Sequence, residues 1–129
     1  MILDTSFLID VLRGDESVDE WEREIDERRA GVVTSITVME LWEGIHRTDA
    51  TDKERERVLE LLEGLTHVDF DRESAMQAGE ISATLAQNGE RIEAEDVMIA
   101  AIALSRDDAV LTGNPTHFER IDGLEVQSY

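Results

Sequence analysis

Apolar residues recur along this chain with two different periods, and the alternation between them predicts the fold. Residues 1–4, Met-Ile-Leu-Asp, are a short apolar run ending on a carboxylate and read as a strand. Thr5 to Arg13 places Phe7, Leu8, Val11 and Leu12 on one helical face, and Gly14 stops it. Ser17 to Arg29 carries Val18, Trp21 and Ile25 at spacings of three and four on an otherwise charged surface helix, closed by Gly31. Val32-Val33-Thr34 is a buried-type strand. Ser35 is placed to cap a helix from Ile36 to Arg47, whose stripe is Val38, Leu41, Trp42 and Ile45.

The second half repeats the scheme. Residues 48–52 have turn chemistry, and Lys53 to Glu63 is helical with Val58, Leu61 and Leu62 on one side. Thr66 to Phe70 alternates like a strand. Asp71 to Gln87 is a helix of small residues (Ala75, Ala78, Gly79, Ala83, Ala86), which predicts close packing, and Asn88-Gly89 ends it. Ala94 to Ser105 is nearly apolar all round and should be central. Ala109 to Leu111 is a strand, Thr112 to Pro115 a turn, and Leu124 to Val126 a last strand. Strands alternating with helices predict an α/β class, a three-layer α/β/α domain around a short parallel sheet of four to five strands.

Length and composition narrow the function. At 129 residues the chain suits one domain, residues 1–129, and with no cysteine it has neither disulfides nor a thiolate metal site. No apolar run reaches the roughly 18 residues of a membrane span, and no signal peptide is evident, so a cytoplasmic protein is expected. Asp and Glu number 31 against 12 Lys and Arg, a net charge of −19, and Lys53 is the sole lysine. That balance resembles proteins of halophiles. At 1 M salt the Debye length is about 3 Å, so the charge does not exclude a nucleic-acid substrate. Phosphate-binding, dinucleotide-binding and nucleophile-elbow motifs are absent, which argues against an NTPase, a dinucleotide enzyme and a serine hydrolase. A phosphoacceptor receiver domain would need a lysine beyond a late strand, and Lys53 is not there.

Among so many acids, the informative ones sit where an apolar residue is expected. Asp4 follows a buried strand, and caps the next helix or faces a ligand. Asp96 shares a helical stripe with Ile92, Ile99, Ala100 and Ala103, so it faces inward, where an unpaired carboxylate is costly. The helix dipole accounts for the acids of that first turn in general but not for one that faces inward. Glu40 lies opposite the Val38–Ile45 stripe, and periodicity alone makes it a solvated residue, although Gly44 one turn on leaves room beside it. His46, His67 and His117 lack metal-ligand spacing and read as surface or supporting residues.

Four blocks together carry a resemblance: residues 1–10, MILDTSFLID; residues 38–41, VMEL; residues 93–103, EAEDVMIAAIA; and Val110-Leu-Thr-Gly-Asn114 followed by His117-Phe118. In order and spacing they resemble the PIN-domain family, and within it the VapC-type toxin ribonucleases. The resemblance implies a metal-dependent endoribonuclease that uses Mg²⁺ or Mn²⁺, an RNA substrate, a small antitoxin partner and a homodimer. It makes Asp4, Glu40 and Asp96 the metal-holding catalytic acids, with Thr5, Ser6 and Thr112 as supporting hydroxyls. Asn114 stands where the family often has a fourth acid, and His117 stands where an acid often precedes the phenylalanine. A housekeeping ribonuclease for RNA maturation and a catalytically inactive PIN-type interaction module are the alternatives. Arg13, Arg47, Arg91 and Arg120 are candidates for phosphate contacts, and Trp21 and Trp42 for the dimer surface.

Overall fold

The computed structural model describes residues 1–129. Five short strands, β1 (Ile2–Leu3), β2 (Val32–Thr34), β3 (Thr66–Val68), β4 (Val110–Thr112) and β5 (Val126–Ser128), form one sheet in the order β3-β2-β1-β4-β5. Every pairing is parallel. Seven helices surround them: α1 (Thr5–Leu12), α2 (Asp19–Arg28), α3 (Ser35–Arg47), α4 (Asp52–Glu63), α5 (Arg72–Gln87), α6 (Ala94–Ser105) and α7 (Pro115–Phe118).

Each central strand divides its side chains between two cores, as period-two geometry requires. Ile2, Val32 and Val110 join α5, α6 and α7 on one face. Leu3, Val33 and Leu111 join α1, α2, α3 and α4 on the other. The result is the expected three-layer α/β/α architecture. Helix α6 is buried almost throughout, with Ile99, Ala100, Ala101, Ile102 and Ala103 at 0 % exposure. The switch in strand order falls between β1 and β4, where open α/β sheets form a crevice at the carboxyl ends of their strands.

Several boundaries differ from the sequence expectation. The cap of α3 is Thr34, whose hydroxyl accepts from the Thr37 amide at 3.2 Å, while Ser35 accepts from the Phe70 amide at 3.0 Å. A 3-10 turn over Glu16–Val18 precedes α2, and the left-handed Arg29 at φ 50° ends that helix in place of Gly31. Gly31 serves close approach instead: an added Cβ would lie 2.7 Å from the Leu65 side chain and 2.9 Å from that of Ile25. Thr112 belongs to β4 rather than to a turn, and Pro115 starts the short α7, where its missing amide costs nothing. The last strand lies two residues later than periodicity suggests. Of the five small residues singled out in α5 only Ala78 is buried, while Ala75, Gly79 and Ala83 face solvent, so its small residues do not all mark packing.

Candidate active site

Asp4 sits at the carboxyl end of β1, one residue before α1, and is 6 % exposed. It occupies the N-cap position, yet its side chain makes no capping bond. Instead Asp4 Oδ2 accepts from Ser6 Oγ at 2.8 Å and from Thr112 Oγ1 at 2.8 Å, the latter from the neighbouring strand. Those hydroxyls are themselves held, because the Gly113 amide donates to Ser6 and the Asn114 amide donates to Thr112. Adjacent strand ends therefore fix Asp4, and its Oδ1 has no partner within the chain.

Glu40 reaches the same place from α3. Thr5 Oγ1 donates to Glu40 Oε1 at 2.8 Å and lies 3.0 Å from the fully buried Thr37 hydroxyl. Glu40 is thus half-buried and not a solvated residue, because α1 crosses that side of α3. Asp96 comes from the first turn of α6, where the helix N-terminus favours negative charge. Its Oδ2 lies 2.9 Å from His117 Nδ1 of α7, so His117 is tied directly to an acid of the site.

The three acids line one cleft of about 580 Å³ together with Thr5, Ser6, Asn114 and His117. Glu93 also faces it, which sequence reasoning missed. The signal was present, since Glu93 fills the N-cap position of α6 with a residue type that caps poorly and makes no capping bond. Burial raises the Glu40 carboxyl above its ordinary pKa, and repulsion from Asp4, Asp96 and Glu95 adds to this against the Thr5 hydrogen bond. Asp96 is raised in the same way, first by burial and then by Asp4 and Glu93, with His117 opposing.

The candidate phosphate arginines are not in the cleft. Arg47 pairs with Glu43 on the surface, and Arg120 donates to the Arg91 carbonyl. Arg13 lines a groove that opens beside the cleft. Trp21 packs partly inside, while Trp42 is 37 % exposed and edge-on to His46 at 5.4 Å.

The chain as a whole has counterparts among known proteins. The family model described as PIN domain matches residues 1–124. The chain belongs to the PIN-domain family. A Salmonella typhimurium relative, "tRNA(fMet)-specific endonuclease VapC", is 35% identical over 97 residues, covering 75% of this chain and 74% of that one. DNA-bound VapBC from the same species superposes with a TM-score of 0.90 at 31% identity, covering 98% of this chain and 96% of that one. VapBC-5 from Mycobacterium tuberculosis, of the VapBC family of toxin–antitoxin systems, gives a TM-score of 0.69 at 29% identity, covering 98% and 94%. This PIN domain is therefore a VapC-type nuclease by descent.

Its donor set also suits a divalent cation. Mg²⁺ and Mn²⁺ prefer carboxylate oxygens and keep several waters. Asp4, Glu40 and Asp96 each spend one oxygen on a hydrogen bond within the chain and leave the other without a protein partner. As placed, no three of the chain's acids and histidines stand close enough together to hold a metal ion.

Proposed function

We propose that this PIN domain, residues 1–129, is the cytoplasmic toxin endoribonuclease of a toxin–antitoxin pair, acting as a homodimer. It hydrolyses RNA phosphodiester bonds with Mg²⁺ or Mn²⁺ held by Asp4, Glu40 and Asp96, and a small antitoxin silences it. One observation carries the reading: three acids from β1, α3 and α6 line one cleft, each with an oxygen that the chain leaves unused. The toxin assignment draws on the VapBC relatives. For the dimer, exposed Met39 and Trp42 on α3 offer the apolar surface and Trp21 does not.

Bound metal would lower the pKa of a coordinated water and offset charge on the phosphoryl oxygens. The chain's own residues prepare that site. Thr112 and Ser6 orient Asp4, Thr5 orients Glu40, and His117 fixes the rotamer of Asp96. Burial and mutual repulsion raise the Glu40 and Asp96 carboxyls above their ordinary pKa, and a bound cation would favour their ionised forms.

The test is cleavage of total RNA and of a tRNA pool with Mn²⁺ in molar KCl. Wild type should cut, and Asp4→Asn, Glu40→Gln and Asp96→Asn should each lose at least about a hundredfold, the scale of removing a few kcal/mol of transition-state stabilisation. Equal activity in all four proteins would sink the mechanism. No cleavage by wild type would favour an inactive interaction module.

A further inference from the structure

The cleft contains an imbalance that its own residues do not resolve. Its ionisable lining is Asp4, Glu40, Glu93 and Asp96 with His117, and it includes no lysine or arginine. A polyanion crossing it needs cationic partners nearby, because phosphate neutralisation supplies much of nucleic-acid affinity. A second groove of about 350 Å³, between α1, α3 and α4, shares Ile9 and Glu40 with the cleft and so opens directly off it. This groove holds two guanidinium groups, Arg13 and Arg57, along with the carboxylates of Glu40 and Glu54, so it supplies the cations that the cleft lacks without being basic overall. Arg13 makes no ion pair or hydrogen bond with its side chain, whereas Arg57 Nη2 donates to the Leu12 carbonyl at 2.7 Å and is fixed at the mouth.

The floor of the groove has a different character. Leu12, Leu41 and Ile45 line it, and Gly44 sits among them in the middle of α3. A glycine inside a helix costs stability and is retained where backbone must be approached closely. Nothing in the chain lies within 4 Å of a Cβ built on Gly44, so no neighbour requires its absence. The space it leaves is open, in a groove lined by apolar side chains, two arginines and two glutamates. Single-stranded RNA is gripped in part by arginine, whose guanidinium plane takes a stacked base or whose charge holds a phosphate.

Resting on the nuclease reading above, we infer that this groove is a nucleotide subsite. It holds the base next to the cleaved bond over Gly44 and that nucleotide's phosphate on Arg13. A volume near the lower end for small-ligand sites suits one nucleotide rather than a long segment.

The test uses fluorescence anisotropy of a labelled single-stranded RNA with the full-length Asp96→Asn protein, which binds without cutting. Adding Gly44→Leu, a change that favours the helix and fills the groove, should weaken binding at least about tenfold, and Gly44→Ala should weaken it less. Adding Arg13→Gln should weaken binding similarly across sequences and lower the salt slope by about one. In the active protein, Gly44→Leu should raise KM and alter base preference beside the cut while sparing kcat. Unchanged RNA affinity in both groove variants overturns the subsite, as does failure of the parent to bind RNA. RNA affinity kept while antitoxin binding is lost would make the groove a protein-docking surface and also overturn it. Groove-dependent RNA binding by a wild type that cannot cleave would instead overturn the nuclease reading and leave the subsite standing.

Discussion

At the level of single residues, the acids of the cleft differ in how far the sequence declares them. Asp4 is visible because a carboxylate ends a buried strand, but its service as cap or ligand-facing group depends on Thr112, 108 positions away. Asp96 declares itself by lying on an apolar stripe. Glu40 does not, since helical periodicity knows nothing of α1 crossing that side of α3, and only resemblance to a family marked it. His117 is similarly set by a tertiary contact, its bond to Asp96. The raised carboxyl pKa values of Glu40 and Asp96 have a signed consequence. The metal-free folded protein binds their protons more tightly than the unfolded chain does. It should therefore lose stability as pH rises from the ordinary values of 4.5 and 3.8 through the raised ones. Glu40→Gln removes part of this penalty. In EDTA its Tm should exceed that of wild type near pH 7, with the difference shrinking towards pH 4. A lower Tm than wild type at pH 7 would show that Glu40 is not under charge stress.

The elements themselves were largely legible, because α/β alternation, stripes and the apolar α6 are local signals. What escaped was short or set by distant partners. Helix α7 is one turn long, and the left-handed Arg29 replaces an expected glycine stop. The loop from β4 to α7 is the sharpest case. Gly113 lies beneath Tyr129, and a Cβ there would come within 2.7 Å of its hydroxyl, which donates to Asp10 at 2.6 Å while the ring packs edge-on to Phe7. Gly113→Ala should cost roughly 1–3 kcal/mol by overpacking, measured by urea denaturation. Most of that cost should vanish in a Tyr129→Ala background, and a fully additive double-mutant cycle would place its cause elsewhere.

For the whole molecule, charge is the dominant fact. A net −19 on 129 residues puts self-repulsion across the entire surface, and only two arginine–carboxylate pairs, both exposed, offset it. Raising KCl from about 0.1 M to about 2 M, where screening shortens to a few ångströms, should raise Tm, and a flat response would remove the repulsion argument. At constant ionic strength, millimolar Mn²⁺ should add a further increment in wild type that Asp96→Asn lacks. An equal increment in both proteins would mean that the ion acts on the surface at large and not at the cleft.

The burial of α6 carries a consequence for control. One acid of the cleft is mounted on the most deeply enclosed helix of the protein, with Ile99 to Ala103 fully shielded. Segments of that kind open only when the whole molecule unfolds, so their amides should exchange with deuterium at the slowest, globally limited rate. An inhibitor cannot then disarm Asp96 by melting its support without destroying the fold. Reversible silencing must work from outside, by obstruction, and free protein should regain full activity as fast as the blocking chain departs.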